Sequence, residues 1–117
     1  MPQTSHISAI DLQAKLAAGA ALILLDIRED FERSINRIPT TAAGVGADLH
    51  IAMGEIPTRL AEVVELAAST PVVIYCHHGV RSMTVVRWLV ARGVANLVNL
   101  DGGIDAYSTV DPSVPRY

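Results

Sequence analysis

Apolar residues along this chain follow two spacings, one typical of buried strands and one typical of helices. Three stretches are almost continuously apolar and predict strands: ALILLDIRE, whose strand spans residues 22–25 and ends at Asp26, then PVVIYC and ANLVNL. Elsewhere apolar residues recur every three or four positions, which predicts helices beginning at Ser8, near residue 55 and near Ser82. The positions predicted to face inward are Ile10, Leu12, Leu16, Ile56, Leu60, Val63, Val64, Ala67, Val85, Val86, Leu89 and Val90.

The order of these elements predicts the fold class. Continuously apolar strands that alternate with amphipathic helices are typical of β-α-β units, in which helices cover both faces of a parallel sheet. We therefore predict an α/β fold, a three-layer open parallel sheet, formed by one domain over residues 1–117 with a tail at 108–117. Residues 39–54 are rich in alanine, glycine and threonine and are predicted to be mostly loop, while EDFERSI and GGIDAY are predicted to form short helices at best.

Composition narrows the classes of function. The 117 residues are 50% hydrophobic and 18% charged, which argues against disorder, and the net charge of −3 gives no sign of a nucleic-acid or anionic-membrane partner. The start of the chain lacks the pattern of a signal peptide, and the longest apolar run, at 17–25, is too short to cross a bilayer. A single cysteine cannot form an internal disulfide, which fits a reducing compartment, so a cytoplasmic protein is predicted.

That single cysteine, Cys76, lies where chemistry is expected in such a fold. It follows a strand, as Asp26 follows another, and ligands of open parallel sheets bind at the carboxyl ends of the strands. The loop after Cys76 leads into a helix near Ser82, whose first N–H groups have no intrahelical partner and stabilise negative charge. Gly79 allows the loop to curl with its N–H groups inward, and Arg81 adds a positive charge. These features together favour a reactive thiolate.

The same residues also have a structural interpretation. A lone cysteine after a strand is most often a small buried hydrophobic residue, with its neighbours His77, His78 and Arg81 in solvent. The compact order of strand, cysteine, glycine-containing loop, arginine and helix favours the functional interpretation. The four histidines do not show metal-ligand spacing with the cysteine, so no metal site is predicted.

Several ordered motifs resemble those of single-domain rhodaneses, which are sulfurtransferases. CHHGVRS after VVIY resembles their active-site loop, LLDIRE resembles a first signature, and NLDGGIDAY resembles a last one with Tyr107 in place of the usual tryptophan. The pair Ile38 and Pro39 matches part of a second signature, in which Asn36 and Arg37 replace the usual Gly-His. The resemblance covers roughly residues 7–107 and implies about five strands.

The resemblance implies a two-step covalent reaction. Cys76 would take the outer sulfur of thiosulfate or a persulfide, carry it as a persulfide, and pass it to cyanide or a thiol. The implied partners are a small-molecule donor and acceptor, or a protein that carries a persulfide or a thiol. No cofactor and no metal are implied. The residues that would form the substrate-binding loop are His77, His78, Gly79, Val80, Arg81 and Ser82. Asp26 and Arg28 would support the loop as an ion pair, with Asp26 expected to touch it, or would be a solvated strand end.

Two other classes of function compete with this one. Cysteine phosphatases and arsenate reductases of related folds also use a loop from cysteine to arginine, but with five intervening residues, whereas residues 77–80 make four here. The tighter loop suits a single sulfur atom, and an arsenate reductase commonly needs a second cysteine. The other alternative is a persulfide carrier or binding module that loads sulfur for a partner protein without turnover.

Within the loop, the charged residues are expected to differ in importance. Arg81 stays charged at any working pH and is expected to hold both the loop and an anionic donor. The electropositive loop is expected to lower the pKa of His77, so that this residue shapes the pocket as a neutral ring.

Overall fold

The computed structural model describes residues 5–40 and 45–117. Its centre is a sheet of five strands in the order β1-β5-β4-β2-β3, in which every pair of neighbours is parallel. The strands are β1 (Ser5–Ile7), β2 (Leu22–Asp26), β3 (Val45–His50), β4 (Val72–Tyr75) and β5 (Leu97–Leu100). The helices are α1 (Ala9–Ala17), α2 (Asp30–Ile35), α3 (Leu60–Ala67), α4 (Val80–Val90) and α5 (Gly103–Val110). The predicted open parallel sheet is confirmed.

Side chains of the central strands alternate between the two faces of the sheet, as strand geometry requires. On β4, Val72 and Ile74 lie in one apolar cluster with residues of α3 and α4, while Val73 and Tyr75 lie in a second cluster with residues of α1 and α5. Because both faces are covered, almost every position of the strand is buried. This double burial is the reason for the continuous apolar runs, and it confirms the three-layer architecture.

The edges of the sheet differ from the prediction. Residues 45–50, expected to be loop, form β3 and pair with β2, while residues 41–44 lie outside the described part of the chain. A second short strand, β1, pairs with β5 at the opposite edge. Edge strands pair through the backbone with one neighbour only, so their sequences need no continuous apolar run.

Two helix boundaries also differ. Helix α4 begins at Val80 rather than near Ser82, and α5 continues to Val110, so the predicted tail starts at 111 rather than 108. The hydroxyls of Ser108 and Thr109 donate to carbonyl oxygens of the preceding turn, at 3.0 and 2.6 Å, so both hydroxyls have partners within the helix.

The predicted inward faces of the helices are correct in most positions and wrong in two. Ile10 is 66% exposed and Val64 is 46% exposed, because each lies beside the buried stripe of its helix rather than within it. Helix α1 begins after Ser8, as predicted, since the Ser8 hydroxyl accepts a hydrogen bond from the N–H of Asp11 at 3.1 Å. None of the described helices has the length and apolar character needed to cross a bilayer.

Candidate active site around Cys76

Cys76 lies directly after β4, at the carboxyl edge of the sheet. Its side chain continues the alternation of Val72 and Ile74 and is only 1% exposed, within the cluster beneath α3 and α4. Asp26 and Tyr75, at the ends of β2 and β4, are paired neighbours in the sheet. Asp26 and Cys76 therefore leave the sheet at the same edge, as the strand order requires.

The sulfur of Cys76 has three polar contacts. Sγ accepts hydrogen bonds from the backbone N–H groups of Gly79 at 3.1 Å and Ser82 at 3.3 Å. A thiol at this position also donates to the hydroxyl oxygen of Ser82, 3.4 Å away, and that hydroxyl donates to Oδ1 of Asn99 on β5. The two backbone donors favour negative charge on the sulfur, and they come from the loop and the first turn of α4.

The loop can curl around the sulfur because Gly79 precedes α4 in a left-handed conformation. Its φ is +92°, which residues with a side chain rarely adopt, and a Cβ there would lie 3.0 Å from the backbone nitrogen of Gly102. The loop is thus packed against the start of α5 without room for a side chain between them.

The start of α5 also holds the loop through backbone hydrogen bonds. The N–H groups of Ile104 and Asp105 donate to the carbonyl oxygens of Cys76 at 2.9 Å and His77 at 3.0 Å. Gly103, with φ of +62°, makes this approach possible, since a Cβ there would collide with those same two carbonyl groups. The segment GGIDAY therefore positions the backbone of the candidate nucleophile.

Arg81 does not carry a free charge. Its Nη1 and Nη2 donate to Oε1 and Oε2 of Glu32 on α2, at 2.7 and 2.9 Å. The hydrogen bond with Glu32 raises the pKa of Arg81 above its ordinary range against the opposing effect of burial. The same bond lowers the pKa of Glu32 to about 2, and hydrogen bonds from Tyr117 and the Glu29 backbone act in the same direction, against burial. The expected positive charge beside Cys76 is thus present but paired.

The two histidines of the loop form part of a stack of three rings. The His77 ring lies between those of His78 and Tyr117, with centroid distances of 3.8 and 3.9 Å. The pKa of His77 is lowered, as predicted, but the largest cause is burial, followed by the charge of His78. Among the outward residues of the loop, His78 is exposed and Val80 is 73% exposed, so neither is enclosed by the fold.

Asp26 and Arg28 form an ion pair, with Nη2 of Arg28 donating to Oδ2 of Asp26 at 2.7 Å and both side chains fully buried. The solvated alternative therefore does not hold. Arg28 also donates to Oδ1 of Asn36 at 2.7 Å and to the hydroxyl of Tyr117 at 2.9 Å. Arg28 is connected to the loop through Tyr117, whose ring stacks on that of His77. We expected Asp26 to touch the loop, but its carboxylate accepts hydrogen bonds from Arg28 and Arg33 instead.

Within residues 5–40 and 45–117, one group of side chains could offer metal ligands. Donor atoms of His77, His78 and Asp105 all lie within 4.8 Å of one another. The carboxylate of Asp105 is already bound by Nε and Nη2 of Arg116, at 3.1 and 3.0 Å. A cation at this position would compete with Arg116 for that carboxylate, so the geometry favours the ion pair.

Four residues of this site were not identified from the sequence: Glu32, Asn99, Gly103 and Tyr117. Each reaches the loop from a different element, and none has a spacing relation to Cys76. The adjacent glycines 102 and 103 are the only local signal, because paired glycines before a helix indicate a close backbone approach.

Comparison with known proteins identifies the family. Residues 8–109 match the model of the rhodanese-like domain, and the chain belongs to that family, as its motifs predicted. A sulfurtransferase of Allochromatium vinosum is 32% identical over 104 residues, covering 89% of this chain and 88% of its own. The thiosulfate sulfurtransferase GlpE of Coxiella burnetii is 28% identical over 112 residues, covering 95% and 91%. The crystal structure of a rhodanese-like domain protein from Staphylococcus aureus superposes with a TM-score of 0.74 at 30% identity, covering 97% of this chain and 99% of that one.

Proposed function

We propose that this protein is a sulfurtransferase that moves a sulfane sulfur from thiosulfate or a persulfide to a thiol or cyanide, through a persulfide on Cys76. The observation that carries the proposal is the Cys76 sulfur at the centre of a loop whose Gly79 and Ser82 N–H groups both donate to it. Membership of the rhodanese-like family and relatives that are named sulfurtransferases support the same reaction.

In the first step, the thiolate of Cys76 attacks the outer sulfur of the donor. A new S–S bond forms, and the donor's own S–S bond breaks with its electron pair leaving on sulfite or on a thiolate. The N–H groups of Gly79 and Ser82, at 3.1 and 3.3 Å, donate to the Cys76 sulfur and orient it for the attack. Arg81, held by Glu32 at the end of the loop that follows Cys76, provides a cationic group for an anionic donor.

In the second step, the acceptor attacks the outer sulfur of the Cys76 persulfide. The S–S bond breaks, the Cys76 thiolate is released, and the product is thiocyanate or a new persulfide. The first turn of α4 leaves the N–H groups of Val80 and Arg81 without intrahelical acceptors. These groups can hold the outer sulfur as an anion between the two steps, in the manner of an oxyanion hole.

The covalent intermediate provides the direct test. The protein is incubated with thiosulfate, freed of excess donor, and its intact mass is measured before and after cyanide. We expect a gain of one sulfur atom that cyanide removes as thiocyanate, and no gain in Cys76→Ser, because the chain has no other thiol. Sulfur loading in the serine variant would refute a Cys76 persulfide.

Steady-state turnover separates the remaining alternatives. Repeated turnover with thiosulfate and cyanide supports an enzyme, whereas a single loading that only a protein thiol discharges would indicate a carrier. Hydrolysis of p-nitrophenyl phosphate without sulfur loading would favour the phosphatase alternative.

A further inference from the structure

The segment 111–117, here called the strap, follows α5 and crosses the edge of the site. Val114 is 3% exposed and lies in the apolar cluster beneath α1 and α5. The carbonyl oxygen of Pro115 accepts a hydrogen bond from Nδ2 of Asn36. Arg116 forms its ion pair with Asp105 on α5, at 3.0 Å. Successive residues of the strap thus contact different elements, which ties it down along its length.

Tyr117 is the strap residue that contacts the candidate loop. Its ring stacks on His77 with an interplanar angle of 6°. Its hydroxyl donates to Oε2 of Glu32 at 2.7 Å and accepts from Nη1 of Arg28 at 2.9 Å. One side chain therefore contacts the loop and joins the two ion pairs, Asp26–Arg28 and Glu32–Arg81.

The Glu32 carboxylate needs this contact to stay oriented toward Arg81. Its Oε1 accepts from Nη1 of Arg81 at 2.7 Å and from the N–H of Glu29 at 3.1 Å. Its Oε2 accepts from Nη2 of Arg81 at 2.9 Å and from the Tyr117 hydroxyl. Each oxygen thus has one donor besides Arg81, and these two donors fix the plane in which the guanidinium can bind with both nitrogens.

We propose that Tyr117 is a positioning residue for the Cys76 loop, acting through its ring on His77 and through its hydroxyl on the Glu32–Arg81 pair. The predicted effect on enzyme kinetics rests on the proposed sulfur transfer. The predicted effect on the arrangement of His77 and the Glu32–Arg81 pair does not. Since the hydrogen bonds to the Cys76 sulfur come from Gly79 and Ser82, loss of Tyr117 leaves them in place. The loss should therefore act on binding of the anionic donor rather than on the attack by sulfur.

Kinetics with thiosulfate test the role of the hydroxyl. Tyr117→Phe keeps the ring and removes the hydroxyl, and we expect the KM for thiosulfate to rise about fivefold with kcat within about twofold. Tyr117→Ala removes both contacts and should raise KM further. The matched control is Tyr107→Phe, a buried tyrosine in the apolar cluster of α5, which should leave both constants unchanged. A KM in Tyr117→Phe no different from that in the control would overturn the proposal.

A titration of the His77 ring by NMR tests the stacking independently of activity. The groups that face His77 are the rings of His78 and Tyr117, the backbone of Tyr117, and the charges of Asp105 and Glu32. Burial lowers the pKa of His77, and the hydrogen bond with the Tyr117 backbone, which alanine also offers, raises it. Tyr117→Ala should therefore raise the titration midpoint of His77 by removing the ring that buries it, while Tyr117→Phe should leave the midpoint nearly unchanged.

The two readouts separate failure of this proposal from failure of the proposed function. If the wild-type protein transfers no sulfur, the proposed function is refuted and the His77 midpoint alone decides the positioning role. An unchanged His77 midpoint in a folded Tyr117→Ala protein would overturn the positioning role even if sulfur transfer is normal. Tyr117→Phe retains the packed ring, so it provides the kinetic test if the alanine variant does not fold.

Discussion

Replacement of Glu32 by glutamine removes one charge from the buried side of the site with little change of shape. Glu32 accepts hydrogen bonds from Arg81, Tyr117 and the Glu29 backbone, and only 6% of its side chain is exposed. Glutamine can still accept at one oxygen, but its amide offers donors to Arg81 where the carboxylate offered a second acceptor. The substitution should therefore destabilise the fold by weakening the bidentate pair.

The magnitude follows from the pKa of Glu32, which falls from 4.5 to about 2, chiefly through the hydrogen bond with Arg81. A fall of the pKa by about 2.5, at roughly 1.4 kcal/mol for each tenfold change in the protonation equilibrium, corresponds to about 3 kcal/mol. Because the Arg81 side chain is 35% exposed, solvent screens the pair, and we expect a loss of about 1–3 kcal/mol at neutral pH. A carboxyl with a lowered folded pKa stabilises the fold above its unfolded pKa, so this contribution disappears as the pH falls from about 4.5 through about 2.

Urea unfolding of the wild type and Glu32→Gln at a series of pH values measures this directly. We expect the difference in unfolding free energy to be largest near neutral pH and to shrink in acid. Glu65→Gln, an exposed position on α3, is the matched control and should differ from the wild type by less than about 0.5 kcal/mol throughout. A difference for Glu32→Gln that is constant from neutral pH into acid would show that lost packing, rather than the charge, is responsible.

Three further predictions concern the loop. Gly103→Ala should destabilise the protein by about 2 kcal/mol or more in urea unfolding, because its φ of +62° and the adjacent loop carbonyls leave no place for a Cβ. An unfolding midpoint of the variant equal to that of the wild type would contradict the tight packing. Arg81→Ala should lower kcat/KM for thiosulfate at least ~10-fold, about 1.4 kcal/mol, and His77→Ala or His78→Ala should each lower it less. If a histidine variant loses more kcat/KM than Arg81→Ala does, and this loss follows a titration near neutral pH, that histidine would instead be assigned a role in proton transfer. A loaded Cys76 persulfide should persist without an acceptor, since the chain has no resolving thiol, and loss of the sulfur within seconds by mass spectrometry would count against this.

The central elements of the fold could be predicted because their signal is local. A strand buried on both faces must be apolar at nearly every position, as β4 is, and a helix packed on one face must repeat its apolar residues every three to four positions. The exposed Ile10 and Val64 show the limit of that signal, since a periodic pattern identifies the buried stripe of a helix but not its width.

The edge strands could not be predicted in the same way. Strand β3 is held by backbone pairing with β2, and its sequence, VGADLH, has no continuous apolar run. Apolar Val45, Ala47 and Leu49 alternate with other residues, but this period-2 signal is weak in a segment rich in small residues. Backbone hydrogen bonds form with almost any side chain, so the register of an edge strand depends on its neighbour in the sheet. The extension of α5 through Ser108 and Thr109 likewise depends on tertiary packing, since Tyr107 and Val110 on either side pack in or against the apolar cluster shared with α1.

The sequence by itself determined the loop that surrounds Cys76, because a strand end, a glycine and a helix start are adjacent in the chain and their geometry is local. Only the tertiary structure decided which groups hold that loop. Glu32 lies 49 positions before Arg81, and Tyr117 lies 85 positions after Glu32, so no periodicity connects them. Their contacts exist because β2, β4 and α5 bring chain segments to one edge of the sheet, where buried charged and polar groups must find partners.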